Sequence, residues 1–229
     1  MSMWRVVAVL LLAAAVAARA RSQAPAQINT PEQTLDRASA AYANMKTARV
    51  TFTQTLTNPL TNREETSKGE MLQRLPGQYA VTFSVPAGDR IVSDGRTVWV
   101  YLPSTNPGQA FKLTVGDGAA RVPDFTAWML DAPKERFALS DGGTAVITAR
   151  ATHVVRLIPR DKSAPFASAK LWIDDGDGIV RQFETIDANG SARRVRIDSI
   201  QMNVPVSDHA FVFTPPPGVK VFDQNGAAN

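Results

Sequence analysis

The chain has no cysteine. That rules out a disulfide scaffold, a thiol nucleophile and a thiolate metal site. It also rules out the acylated N-terminal cysteine of a bacterial lipoprotein. A one-signed charge excess is also missing. The 25 Lys and Arg face 21 Asp and Glu, a formal balance of +4. Removing Arg5 and Arg19, which lie in an N-terminal segment without acids, leaves 23 against 21, or +2. Nucleic-acid binding needs a concentrated basic stripe. Arg193, Arg194 and Arg196 alternate with Val195 and Ile197 instead, as on the charged edge of a strand. Catalytic motifs are scarce too. HExxH, GxSxG, the P-loop and the dinucleotide fingerprint are all missing. There are two histidines, His153 and His209, both in segments read as extended. Ser207 and Asp208 adjoin His209, but neighbours on one strand point apart and cannot easily converge as a triad. A periplasmic hydrolase is therefore the weakest reading. Asp174-Asp175-Gly176-Asp177-Gly178 lacks the ligand spacing of a calcium loop and fits a hairpin turn.

Long apolar runs are limited to the N-terminus. Arg5 precedes an apolar run from Val6 to Ala18, and Ala18-Arg19-Ala20 places small residues where a signal peptidase reads. This is the layout of a secretory signal, and the run is too short for the roughly 20 residues of a membrane span. Residues 1–20 are read as a cleaved signal peptide, with Ala24-Pro25-Ala26 as a second cleavage site. Residues 21–29 read as a flexible leader and 30–229 as a single domain. These features mark the chain as exported.

Thr30-Pro31-Glu32-Gln33 is a helix start with capping-box spacing. Leu35, Ala38, Tyr42 and Met45 then follow at helical spacing, predicting a helix from Pro31 to about Met45. From Arg49 the period becomes two. Val50, Phe52 and Leu56 alternate with threonines; Tyr79, Val81, Phe83 and Val85 alternate again, as do Phe111, Leu113 and Val115. Val122, Phe125, Trp128 and Met129 return to helical spacing, with Pro133 read as the stop. Short strands follow to Met202, with turns expected at Asp141-Gly142-Gly143, Asp175–Gly178 and Asn189-Gly190. About eleven short antiparallel strands indicate a mainly β fold, a sheet curled into a barrel or half-barrel. Aromatic and Met side chains are spread over more strands than a tight barrel can fill, which is consistent with a widened interior.

Several of these segments resemble the LolA-type outer-membrane lipoprotein carriers. Phe52-Thr53-Gln54 resembles that family's early strand, and Gly69-Glu70 followed by Pro76 its next strand and turn. Ile91 to Pro103 resembles its "DG-T-W-Y-P" hairpin, and Val206 to Val219 its closing "F-F-PP-GV" pattern. The resemblance implies an unclosed antiparallel β-barrel with an α-helical lid over an apolar cavity. It implies a soluble periplasmic chaperone with no enzyme activity, no cofactor and no metal. Its partners would be acylated lipoproteins, the inner-membrane ABC transporter that releases them and an outer-membrane lipoprotein receptor, with the carrier itself a monomer. A glycolipid carrier, or a sensor of lipid or stress with the same fold, is the alternative. Phe52, Met71, Leu75, Phe83, Trp99, Tyr101, Phe125, Trp128, Met129 and Phe183 are the expected acyl-chain contacts. The family places an Arg directly before the Pro aligned with Pro76, as a latch for the lid. Here the order is Arg74-Leu75-Pro76, so Arg74 is the latch if the strand slips by one; otherwise Leu75 lines the cavity.

Overall fold

The computed structural model describes residues 29–114, 129–162 and 164–224. Twelve strands form one sheet: β1 (Thr47–Thr57), β2 (Glu64–Arg74), β3 (Gln78–Val85), β4 (Ala87–Asp94), β5 (Thr97–Tyr101), β6 (Gln109–Thr114), β7 (Phe137–Ile147), β8 (Arg150–Pro159), β9 (Ser168–Asp174), β10 (Val180–Ile186), β11 (Ala192–Met202) and β12 (Lys220–Asp223). Their order is β12-β6-β5-β4-β3-β2-β1-β11-β10-β9-β8-β7. All neighbours are antiparallel except β12, which runs parallel to β6. The edges β12 and β7 do not pair with each other, so the sheet is an unclosed barrel. The short strand β12 was not foreseen, because four residues, with Val221 and Phe222 adjacent, carry too little alternation.

Helix α1 (Pro31–Tyr42) begins as its sequence dictates. The Thr30 hydroxyl accepts from the Gln33 N–H, and the Gln33 side chain accepts from the Thr30 N–H. Its Leu35, Ala38 and Thr34 are fully buried, and it packs on β7, β8 and β9. It stops at Tyr42, three residues short of expectation. Asn203 decides this: its side chain accepts from the Lys46 N–H and donates to the Asn44 carbonyl. That partner lies 157 residues away from Lys46 and is not visible in local spacing.

Two more expectations need correction. Asp141-Gly142-Gly143 was read as a turn between strands but lies inside β7. The register against β8 shifts between Asp141 and Thr144, so the glycines form a bulge. Gly142 is required there, since a Cβ would fall 2.7 Å from the Val154 side chain. Pro133 was read as a helix stop but opens a short helix α2 (Pro133–Arg136), where the first position tolerates the missing N–H. The expected helix before it falls largely outside the described residues.

The two faces of the sheet are covered differently. One carries α1 and the main apolar cluster, which includes Leu35, Phe137, Leu157, Leu171 and Ile173. The other is crossed by the segment after β11. There Phe211, in the 3-10 turn Asp208–Phe211, packs on Ala80 and Val92.

Candidate functional site

On the α1 side of the sheet, six adjacent strands, β4-β3-β2-β1-β11-β10, surround a hollow of about 200 Å³. Alternation selects its lining. Val50 and Phe52 of β1, Met71 of β2, Val81 and Phe83 of β3, Ile91 of β4 and Phe183 of β10 all face inward. Tyr42 and Met45 close one side from the end of α1. Phe52 and Phe83 meet edge to face at 5.8 Å between ring centres. Gly69 lies opposite Phe52 and leaves room for its ring, because a Cβ there would sit 3.0 Å from the Phe52 ring and 2.6 Å from the Thr82 carbonyl.

A bulge sets the β11 part of the lining. Residues Arg193, Val195 and Ile197 face the hollow at odd numbers, and Ile200 at an even number. The register against β1 skips Asp198 between these two sets. The Asp198 carboxylate is held there by the Thr53 hydroxyl at 2.7 Å and by the Arg196 guanidinium at 2.7 Å. Polar groups occupy the two ends of the hollow. Gln73 and Tyr79 lie at one end. Burial pushes the Tyr79 phenol above its ordinary range, with Ser93 opposing. Arg193 lies at the other end, where loss of water lowers its pKa and Asp187 opposes that shift. Arg193 also lines a second, wider cleft of about 640 Å³, shared with Leu56, Arg63, Glu65, Phe166, Thr185 and Asp187.

The sequence model of the outer membrane lipoprotein carrier protein LolA matches residues 43–214. The chain belongs to the LolA family. An outer-membrane lipoprotein carrier protein of Methylibium petroleiphilum is 27% identical over 190 residues, covering 83% of this chain and 89% of its own. The protein of the same name from Azotobacter vinelandii is 29% identical and covers 96% of this chain and all of its own. Among solved structures, an uncharacterized conserved protein of Thermus thermophilus matches 84% of this chain and 98% of its own, with a TM-score of 0.53 and 13% identity. That likeness concerns the fold alone.

Within this LolA-family fold the expected site residues separate. Phe52, Met71, Phe83 and Phe183 come together around the hollow. Met129 is fully buried in the cluster beneath α1. Trp99 and Tyr101 do not line the hollow. Trp99 pairs with Val92 across β4 and β5, which puts it on the opposite face, and both rings pack on Phe213 at 5.6 Å. Leu75 follows β2 at 38% exposure and is not part of the lining. Phe125 and Trp128 lie outside the described residues. Among the lining residues that sequence reasoning missed are the aliphatic Val50, Val81, Ile91, Val195, Ile197 and Ile200, and also Tyr42, Met45, Tyr79 and Arg193. Val50, Val81, Val195 and Ile197 lay in alternation already visible, but aliphatic residues were passed over in favour of aromatics.

Arg74 joins β2 to the C-terminal segment. Its guanidinium donates to the Val206 carbonyl at 2.5 Å and to the Asp208 carboxylate at 2.5 Å, and lies 5.0 Å above the Phe211 ring. These partners lie on the outer face, away from α1 and α2. In Arg74→Met, exchange of the Ala210 and Val212 amides should quicken about tenfold, the equivalent of one charge-assisted hydrogen bond. Affinity of the hollow for an apolar dye should stay unchanged. A change in dye affinity without faster exchange would instead make Arg74 part of a lid latch.

Around the β9–β10 turn, Asp174 is almost fully buried and binds Arg150 at 2.5 Å and Arg181 at 2.9 Å. Burial alone would raise its pKa, but these cations and the Gly176 N–H hold it well below the usual carboxylate range. The same turn grips α1, since Arg37 donates to the Asp175 carbonyl at 2.9 Å. His153 Nδ1 lies 3.0 Å from Asp175. The turn is thus a structural clasp between the sheet and the helix.

Proposed function

We propose that this chain is a periplasmic carrier that shelters the acyl chains of lipoproteins released from the inner membrane and passes them to an outer-membrane receptor. The apolar hollow lined by six strands carries the proposal, together with membership of a family named for lipoprotein carriage. Residues 1–20 are the export signal in this reading, and an ABC transporter loads the carrier. No covalent step is required. The chemistry is burial alone, at about 0.8 kcal/mol per methylene removed from water. A transporter must supply the work of loading, because membrane and cavity both keep the chains dry.

Phe52, Met71, Phe83 and Phe183 are the proposed acyl contacts. At about 200 Å³ the hollow is smaller than the roughly 300–1,000 Å³ of ordinary ligand pockets. Loading therefore widens it, and Met45, Met71 and Tyr42 are the groups at its edge best able to yield. A triacylated peptide should displace an apolar fluorescent dye from the protein. Phe83→Asp should weaken that peptide at least tenfold while the far-UV spectrum stays native. Failure of the peptide to displace the dye would refute the carrier reading. In cells, depletion should leave outer-membrane lipoproteins at the inner membrane.

A further inference from the structure

The lining of the hollow has a direction. Along β11 it runs from Arg193 to Val195 and on to Ile197. On the neighbouring strands, Leu56 and Thr185 stand opposite Arg193, whereas Phe183 stands opposite Val195. Among the described residues that line the hollow, Arg193 is the one with a charged side chain, and it belongs to the wider cleft as well. A cation at one end of an apolar chamber orients any amphiphile that enters.

We propose that Arg193 is the head-group site: it donates hydrogen bonds to the ester carbonyls of a diacylglycerol moiety whose tails run toward Val50. This rests on the carrier reading and adds the polarity of the cargo to it. A guanidinium has five N–H donors and no acceptor, so its ligand must supply oxygen lone pairs. Asp187 acts on Arg193 electrostatically, and Glu65 lines the same cleft beside Arg63 at 3.6 Å. Arg63 offsets Glu65 and Asp187 offsets Arg193, so the cleft offers no excess positive charge for an anion such as a phosphate, and neutral carbonyls are the better match. The polar pair at the other end, Gln73 and Tyr79, carries no charge and sits in the buried part of the lining. The cleft beyond Arg193 is then where the cargo's peptide leaves the hollow.

The test uses the full chain and three probes: the carbonyl-free dye N-phenyl-1-naphthylamine, a dipalmitoylglyceryl-cysteine peptide, and dispersed phosphatidylglycerol. In Arg193→Gln the lipopeptide should bind about tenfold more weakly, and the dye should bind as before. Unchanged dye affinity also reports an intact hollow. Equal losses for lipopeptide and phosphatidylglycerol support recognition of the shared esters. A loss confined to phosphatidylglycerol makes the phosphate the recognised group and overturns the proposal. Lipopeptide binding that is untouched in Arg193→Gln also overturns it while leaving the carrier reading standing. An unmodified protein that fails to bind the lipopeptide removes both.

Discussion

Asp174→Asn should lower the stability of the fold by about 2–3 kcal/mol, and the melting temperature by roughly 4–12 °C. The Asp174 side chain is 3% exposed, and its Oδ2 takes both Arg150 and Arg181. Asparagine keeps an oxygen for the Gly176 N–H, bound at 2.8 Å, but removes the charge that both guanidinium groups face. Arg150 is half exposed and can rehydrate, which holds the loss below the full cost of an orphaned buried ion. Asp177 bridges the same two arginines at 43% exposure, so Asp177→Asn should cost less. The sign with pH follows from the depressed pKa of Asp174. Its contribution is complete above the ordinary carboxylate pKa and is lost as pH falls through the folded value. Glu184 adds a term of the same sign: burial raises its pKa, but Lys170 and Arg194 lower it further. The difference in melting temperature between parent and Asp174→Asn should therefore shrink in strong acid. A constant difference down to the acid transition would contradict this account. Because the turn also holds α1 through Arg37, amide exchange in α1 should rise in the variant.

Gly69→Ala should cost about 2–3 kcal/mol, a large effect for one methyl group on a strand. Alanine normally suits a strand at least as well as glycine, so propensity predicts a gain. Geometry reverses the sign. The new Cβ would lie 2.6 Å from the Thr82 carbonyl, which is backbone and paired, and 3.0 Å from the Phe52 ring. The ring is the part that can move, and it can move only by giving up its contact with Phe83 or entering the hollow. Lower stability should therefore come with weaker dye binding. Adding Phe52→Leu should recover part of the stability, because the shorter side chain relieves one of the two contacts. A Gly69→Ala protein that melted like the parent would show that β2 and β3 shift apart freely.

Legibility differed sharply between parts of the molecule. The start of α1 was readable, because a capping box acts between residues three apart. The β4–β5 turn was readable for the same reason, since Asp94 accepts from the Arg96 and Thr97 N–H groups and Gly95 takes φ of +94°. Trp99 and Tyr101 show the limit. Their alternation placed them on one face together, but nothing local decides which face meets the hollow. The sheet settled it by pairing Trp99 with Val92, whose side chain packs beneath Phe211. Arg74 is similar: its neighbour Pro76 was visible, but its partners lie more than 130 residues away.

The sequence by itself determined the elements with short-range causes: the capped helix, the alternating strands and the Asp-Gly turns. It also carried enough motifs in order to indicate the family. Only the tertiary structure decided which side of each strand faces the hollow, where α1 ends, and that Arg193 stands where the hollow meets the cleft. The physical reason is that alternation has a period of two and no sign. A bulge such as the one at Asp198 supplies the sign, and a long-range partner such as Asn203 sets where α1 ends.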